Sequence, residues 1–170
     1  MLPSGTITFL FTDIEGSTKL WEQQPEVMKV ALAQHDTLLR QMIETQNGYV
    51  FKTVGDAFCA AFATPTDALN AAIATQHRLQ VPLANLPIRV RMALHTGAVE
   101  ERDGDYFGQT VNRVARLLSA GHGGQVLLSQ ATQELVRDRI PPGVTLRDMG
   151  ERRLKDLLRP EQIFQLVIPD

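Results

Sequence analysis

Cysteine is nearly absent from this chain: Cys59 is the single thiol among 170 residues, and one tryptophan and two tyrosines accompany it. One thiol excludes an internal disulfide framework and agrees with a reducing compartment. Cys59 stands in the apolar run Ala57 to Ala63 and reads as a buried structural thiol rather than a nucleophile. An excess of positive charge is missing too, since 17 Lys and Arg face 19 Asp and Glu for a net charge of −2. No nucleic acid is therefore expected as a partner. No apolar run approaches the ~20 residues of a membrane-spanning helix, so no membrane segment is expected. The N-terminus lacks a basic stretch and meets Asp13 and Glu15 soon after its short apolar run, unlike a secretory signal. Together these absences predict a cytoplasmic protein. A Walker-type Gly-x-x-x-x-Gly-Lys-Ser/Thr is also absent, and Gly121 to Gly124 reads as a helix stop rather than a phosphate loop.

What is present is an ordinary globular composition, 44% hydrophobic and 21% charged. Repeats, linkers and low-complexity segments do not occur, which predicts a single domain over residues 1–170 with its core at about 6–167. Alternation in Thr6 to Phe11 reads as a strand, and Gly16-Ser17-Thr18 starts a helix. A longer helix runs from Pro25 to about Gln46, with Val27, Val30, Ala31, Leu38, Met42 and Ile43 as its apolar positions. Tyr49 to Val54 and Ala57 to Ala63 form a hairpin closed at Gly55-Asp56. Thr64 launches an alanine-rich helix through about Leu79. Ile88 to Val99 is a strand broken at Gly97, and Gly108 to Ser119 is helical. Val126 to Leu128 is a short strand, Ser129 caps a helix through about Val136, and Val144 to Met149 pairs with Ile163 to Ile168. This order implies an α+β fold with helices mainly on one face of a sheet.

Two acidic motifs carry the chemistry. Phe9-Leu-Phe-Thr-Asp-Ile-Glu-Gly-Ser-Thr18 and Phe51-Lys-Thr-Val-Gly-Asp-Ala-Phe58 each end a strand-like run near an aspartate. Asp13 and Asp56 can share divalent cations if their strands are neighbours, because Mg2+ takes one or two carboxylates plus phosphate oxygens. A pair of turn aspartates is the plainer reading of Asp56, and spacing alone does not overturn it. Gly16, Ser17 and Thr18 open a helix whose free N–H groups suit an anion; Ser17 as an N-cap is compatible with that role. Asn112 and Arg116 lie four apart on one helix, away from the stripe Val111, Val114, Ala115 and Leu118, and project side by side. An amide and a guanidinium so placed can hold a ribose and a phosphoryl group, although a solvated face reads the same way. Lys52 interrupts an apolar strand and reads as a surface or edge-strand lysine. Asp105 reads as a turn residue in Asp103-Gly104-Asp105.

Taken together, these motifs resemble the class III nucleotidyl cyclase catalytic domain. The third signature is Asp105-Tyr-Phe-Gly-Gln-Thr-Val-Asn-Arg-Val-Ala-Arg116, and the resemblance runs from Thr6 to about Val167. It implies a ferredoxin-like (βαββαβ) core with additional C-terminal strands and helices, and a head-to-tail homodimer with active sites at the interface. By the same resemblance, Asp13 and Asp56, helped by the carbonyl of Ile14, bind two Mg2+ or Mn2+ ions. Lys52 and Asp105 recognise the base, Asn112 orients the ribose and Arg116 stabilises the transition state. Lys155 is a looser match to a lysine on the terminal phosphates, and Arg159 competes for that place. The metal set comes from one subunit and the rest from the other.

Adenine presents an N6 donor beside an N1 acceptor, which a lysine donor and an aspartate acceptor complement. Guanine inverts that pattern, so ATP is the expected substrate, and the expected products are 3′,5′-cyclic AMP and pyrophosphate. No side-chain base is evident, since His35, His77, His95 and His122 all read as structural. Three rivals remain at this point: a guanylyl or other nucleotide cyclase, a non-catalytic nucleotide-binding dimerisation module, and a diguanylate cyclase, whose Gly-Gly-Asp/Glu-Glu-Phe turn is missing. Regulatory domains outside the chain are a further expectation.

Overall fold

The computed structural model describes residues 2–155 and 159–169. Strand β1 (Gly5–Ile14) runs through the middle of the molecule, with Phe9 and Leu10 wholly buried on its opposite faces. Helices α1 (Ser17–Gln23) and α2 (Pro25–Thr45) follow. Pro25 opens α2, where its missing N–H costs nothing. The buried stripe of α2 is Met28, Ala31, His35, Leu38, Leu39 and Ile43. Val27 and Val30, expected on that stripe, are instead exposed, because the helix is rotated to bury Met28.

Strands β2 (Tyr49–Val54) and β3 (Ala57–Phe62) form the expected hairpin. Helix α3 (Pro65–Arg78) starts where Thr64 Oγ1 accepts the Asp67 N–H at 3.2 Å, an N-cap followed by proline. The chain continues through β4 (Val90–Arg102), β5 (Asp105–Phe107), α4 (Gln109–Ser119), β6 (Val126–Ser129), α5 (Gln130–Val136), β7 (Thr145–Arg152) and β8 (Glu161–Val167).

The sheet order is β2-β3-β1-β4-β6-β8-β7, with β5 paired to β4 alone. Its first half, β1-α2-β2-β3-α3-β4, is the ferredoxin-like unit, and β6 extends it in parallel beside β4. Helices α2, α3 and α5 cover one face, around Leu10, Ile43, Leu69 and Leu94. Helix α4 lies on the other, packing Val114, Leu117 and Leu118 against Phe9, Ala93 and Leu127. Each fully buried side chain of this size contributes about 1.5–3 kcal/mol of hydrophobic stabilisation.

Two expectations are corrected. Strand β4 does not break at Gly97; it stays paired with β1 from Val90 to Val99, with Gly97 opposite Ile7. Glycine is there because α4 comes close: a Cβ at 97 would stand 2.7 Å from Thr110 Oγ1. Strand β5 is additional, closed on β4 through Asp103 and Gly104, both at positive φ (54° and 77°) as a tight hairpin requires.

Candidate active site

The C-terminal end of β1 gathers the acidic residues. Asp13, next to last in the strand, faces Arg91 in the β1–β4 register, and the two side chains meet. Arg91 Nε donates to Asp13 Oδ1 at 2.7 Å and Nη2 to Oδ2 at 2.5 Å, a two-pronged contact matched to carboxylate geometry. Asp56, half-buried in the β2–β3 turn, accepts the Ile14 N–H on Oδ1 at 3.1 Å. This bond joins two segments 42 residues apart and sets the Asp56 carboxylate beside the residue that follows Asp13. The structure thus brings Asp13, Ile14 and Asp56 together.

Arg91 was not singled out from sequence. Arg89 and Arg91 alternating with Ile88, Val90 and Met92 were the available signal, but the partner of Arg91 depends on a register that only strand pairing reveals. Its pKa is raised, first by the hydrogen bond to Asp13, against some desolvation, and further by the charges of Asp13, Glu15 and Asp56. Three carboxylates thus act on one guanidinium. Among the described residues no three His, Cys, Asp or Glu side chains stand close enough to hold a metal by themselves. A cation here would take Asp13, Asp56 and a main-chain carbonyl, with further oxygens from a ligand. That donor set is all oxygen and suits Mg2+ or Mn2+.

Gly16 (φ 70°) is the N-cap of α1, and no side chain caps the helix. Ser17 is thus its first residue and not its cap, so the first N–H groups of α1 keep no side-chain partner. Thr18 is exposed beside it.

Lys52 and Asp105 come together between β2 and β5. Lys52 lies on β2, the edge strand, and its Nζ stands 2.6 Å from Asp105 Oδ2. Asp105 is the first residue of β5, and its Oδ1 accepts the Tyr106 N–H at 2.7 Å. Burial raises the Asp105 pKa, but the Lys52 hydrogen bond, the Tyr106 N–H and the Lys52 charge outweigh it, so the net shift is downward. Phe51 and Tyr106, the sequence neighbours of Lys52 and Asp105, pack edge to face with each other and with Phe9 at 4.9–5.7 Å between centroids. Cys59 is paired with Lys52 in the β2–β3 register and buried, and desolvation pushes its thiol up to about 11. That is an unreactive thiol.

Asn112 is exposed on α4, and Arg116 is half-buried one turn further on. Lys155 and Arg159 are exposed in the connection from β7 to β8; residues 156–158 between them lie outside the described residues. His95 is buried, with Nδ1 2.6 Å from Ser129 Oγ. Burial, helped by Arg113, lowers its pKa to about 4, so it is neutral at pH 7.

This fold, carrying acidic residues at one strand end and an amide and a guanidinium on α4, is that of a nucleotidyl cyclase domain. Residues 1–166 match the family described as the adenylate and guanylate cyclase catalytic domain. The chain belongs to that family, the class III nucleotidyl cyclases. It is 45% identical over 170 residues to an uncharacterised protein of Mycobacterium tuberculosis, covering 99% of this chain and 58% of that protein. A receptor-type adenylate cyclase of Trypanosoma brucei brucei is 31% identical over 94% of this chain and 36% of its own length. The chain thus spans little more than half of the mycobacterial relative, and less of the trypanosomal one. Among solved structures, a monomeric adenylate cyclase of Trypanosoma brucei superposes with a TM-score of 0.87 at 30% identity, over 96% of this chain and 90% of that one. The adenylyl cyclase CyaB of P. aeruginosa gives 0.82 at 26% identity, over 98% and 95%. No helix among the described residues is long and apolar enough to cross a membrane.

Proposed function

We propose that this chain converts ATP to 3′,5′-cyclic AMP and pyrophosphate. The observation that carries the choice of base is the Lys52–Asp105 pair, a donor and an acceptor held 2.6 Å apart. Lys52 donates to adenine N1 and Asp105 accepts from N6. Guanine would leave both contacts mispaired, at about 1–3 kcal/mol each. Relatives at about 30% identity, such as the trypanosome proteins, are named adenylate cyclases, whereas solved guanylate cyclase domains of the same fold stand at 17–18% identity.

Asp13, Asp56 and the Ile14 carbonyl hold two divalent cations, Mg2+ or Mn2+. When bound, these lower the pKa of the ribose 3′-hydroxyl and offset the charge of the triphosphate. Arg91 grips the same oxygens of Asp13, so it competes with a cation for them and orients the carboxylate. The N–H groups at Gly16, Ser17 and Thr18 receive phosphate oxygens. Asn112 orients the ribose, and Arg116 stabilises the charge that develops on the α-phosphate as the 3′-oxygen attacks and pyrophosphate leaves. Lys155 contacts the terminal phosphates, with Arg159 as the competing residue. Neither buried histidine is placed to serve as base: His95 is buried on Ser129 and His35 is buried on Asp36.

The reading includes a homodimer in a cytoplasmic setting, a single catalytic domain over residues 1–170, and regulation by segments outside it. Each site takes its metal set from one copy and Lys52, Asp105, Asn112 and Arg116 from the other. The test of substrate is product formation from Mn-ATP and Mn-GTP. Two mispaired contacts predict a preference for ATP of about 30-fold or more. Equal or faster turnover of GTP would overturn the assignment.

A further inference from the structure

The turn that follows Asp13 is fastened at two points by one residue. The Glu15 N–H donates to the Arg89 carbonyl at 2.8 Å. Its carboxylate Oε2 accepts the Gly123 N–H at 2.8 Å, across 108 residues of sequence. Gly123 belongs to the turn after α4, whose neighbouring His122 Nδ1 lies 4.0 Å from the same oxygen. That turn has no room to spare. A Cβ at 123 would stand 2.6 Å from Arg89 Cβ and 2.9 Å from Glu15 Oε1. Arg89 Cβ is fixed to the backbone and cannot swing aside, so only glycine lets the turn sit this close. A merely solvated acid would require neither the glycine nor the main-chain donor aimed at it.

We propose that Glu15 is a positioning residue, pinning the Asp13–Gly16 turn, and with it the Ile14 carbonyl, against the Gly121–Gly124 turn. The inference rests on Asp13, Ile14 and Asp56 being the metal-binding set. A charge-assisted bond from a main-chain donor is directional and of the stronger kind. It fixes a backbone carbonyl that no side-chain rotamer could fix. Because the Gly121–Gly124 turn also ends α4, the same contact ties the metal set of one copy to the helix bearing Asn112 and Arg116 in that copy.

The test is Mn2+ binding to the whole chain in the presence of a non-hydrolysable ATP analogue, followed by the paramagnetic resonance signal of free Mn2+. Outer contacts that orient a metal site commonly contribute tenfold or more, so Glu15→Ala is expected to weaken Mn2+ binding about tenfold. Glu15→Gln keeps an acceptor oxygen and is expected to bind nearly as the wild type does. Gly123→Ala, which displaces the turn from the other side, is expected to match Glu15→Ala, and the double variant to be no weaker than either. Unchanged affinity in Glu15→Ala overturns the inference. So does a Glu15→Gln variant as weak as Glu15→Ala, since charge and not the hydrogen bond would then be the agent. Should Glu15→Ala not fold, the Glu15→Gln and Gly123→Ala results decide. Wild-type protein that binds no Mn2+ overturns the metal reading itself, and this inference with it.

Discussion

Arg91 balances the charge at the acidic end of the sheet, and removing it exposes what it balances. Its side chain and that of Asp13 keep 27% and 22% of their exposure, so solvent weakens the pair without cancelling it. Arg91→Ala should cost about 1–2 kcal/mol in metal-free protein, measured by denaturant unfolding. The cost should shrink in excess Mn2+, because a bound cation supplies the positive charge that the substitution removes. A cost of the same size with and without Mn2+ contradicts the metal assignment. His95 offers a separate test. Its folded pKa of about 4 lies below the ordinary 6.5, so the unfolded chain binds a proton that the folded chain refuses. Its contribution is complete above pH 6.5 and is lost as pH falls toward 4, at most about 3 kcal/mol. His95→Gln, which can still bond Ser129, should flatten the fall in stability between pH 6.5 and 4. An unchanged slope would mean that other groups produce it.

At the scale of the element, β4 and α4 depend on each other through Gly97. Thr110 Oγ1 donates to the Ala98 carbonyl at 2.6 Å, which seats the first turn of α4 on the strand. Gly97→Val would drive a branched side chain into Thr110. The expected loss is about 1–3 kcal/mol, seen as a lower denaturation midpoint with unchanged secondary structure. An unaltered midpoint would show that α4 does not rest on this contact. Gly97 also marks where the sequence is ambiguous. A glycine in a strand signals either an interruption or a close approach, and only the packed helix distinguishes them. The other long elements were legible because their period is strong: the alternation of β1, the Thr64-Pro65 cap of α3 and the Gly55-Asp56 hairpin all reappear. Strand β5 was not legible, because three residues are too few to display a period. Among the candidate residues, the approach of Asp56 to Ile14 and of Lys52 to Asp105 followed from the family motifs, whereas Arg91 had no motif and needed the register.

At the scale of the whole molecule, the proposed function gives one chain two incomplete sets of groups. The acids of β1 and the β2–β3 turn lie at one place, and the Lys52–Asp105 pair closes on itself at another. If each site is divided between two copies, activity is a property of the pair, and specific activity should fall on dilution as copies separate. Mixing two inactive variants tests that division most directly. Asp13→Asn leaves Arg91 an acceptor and removes the metal set; Asn112→Ala removes ribose orientation in the other set. In an equal mixture half of the two-fold dimers are mixed, each with one intact site of two, so cyclic AMP formation should return to about a quarter of the wild-type rate. A mixture that stays inactive, while both variants fold and associate, contradicts the shared active site.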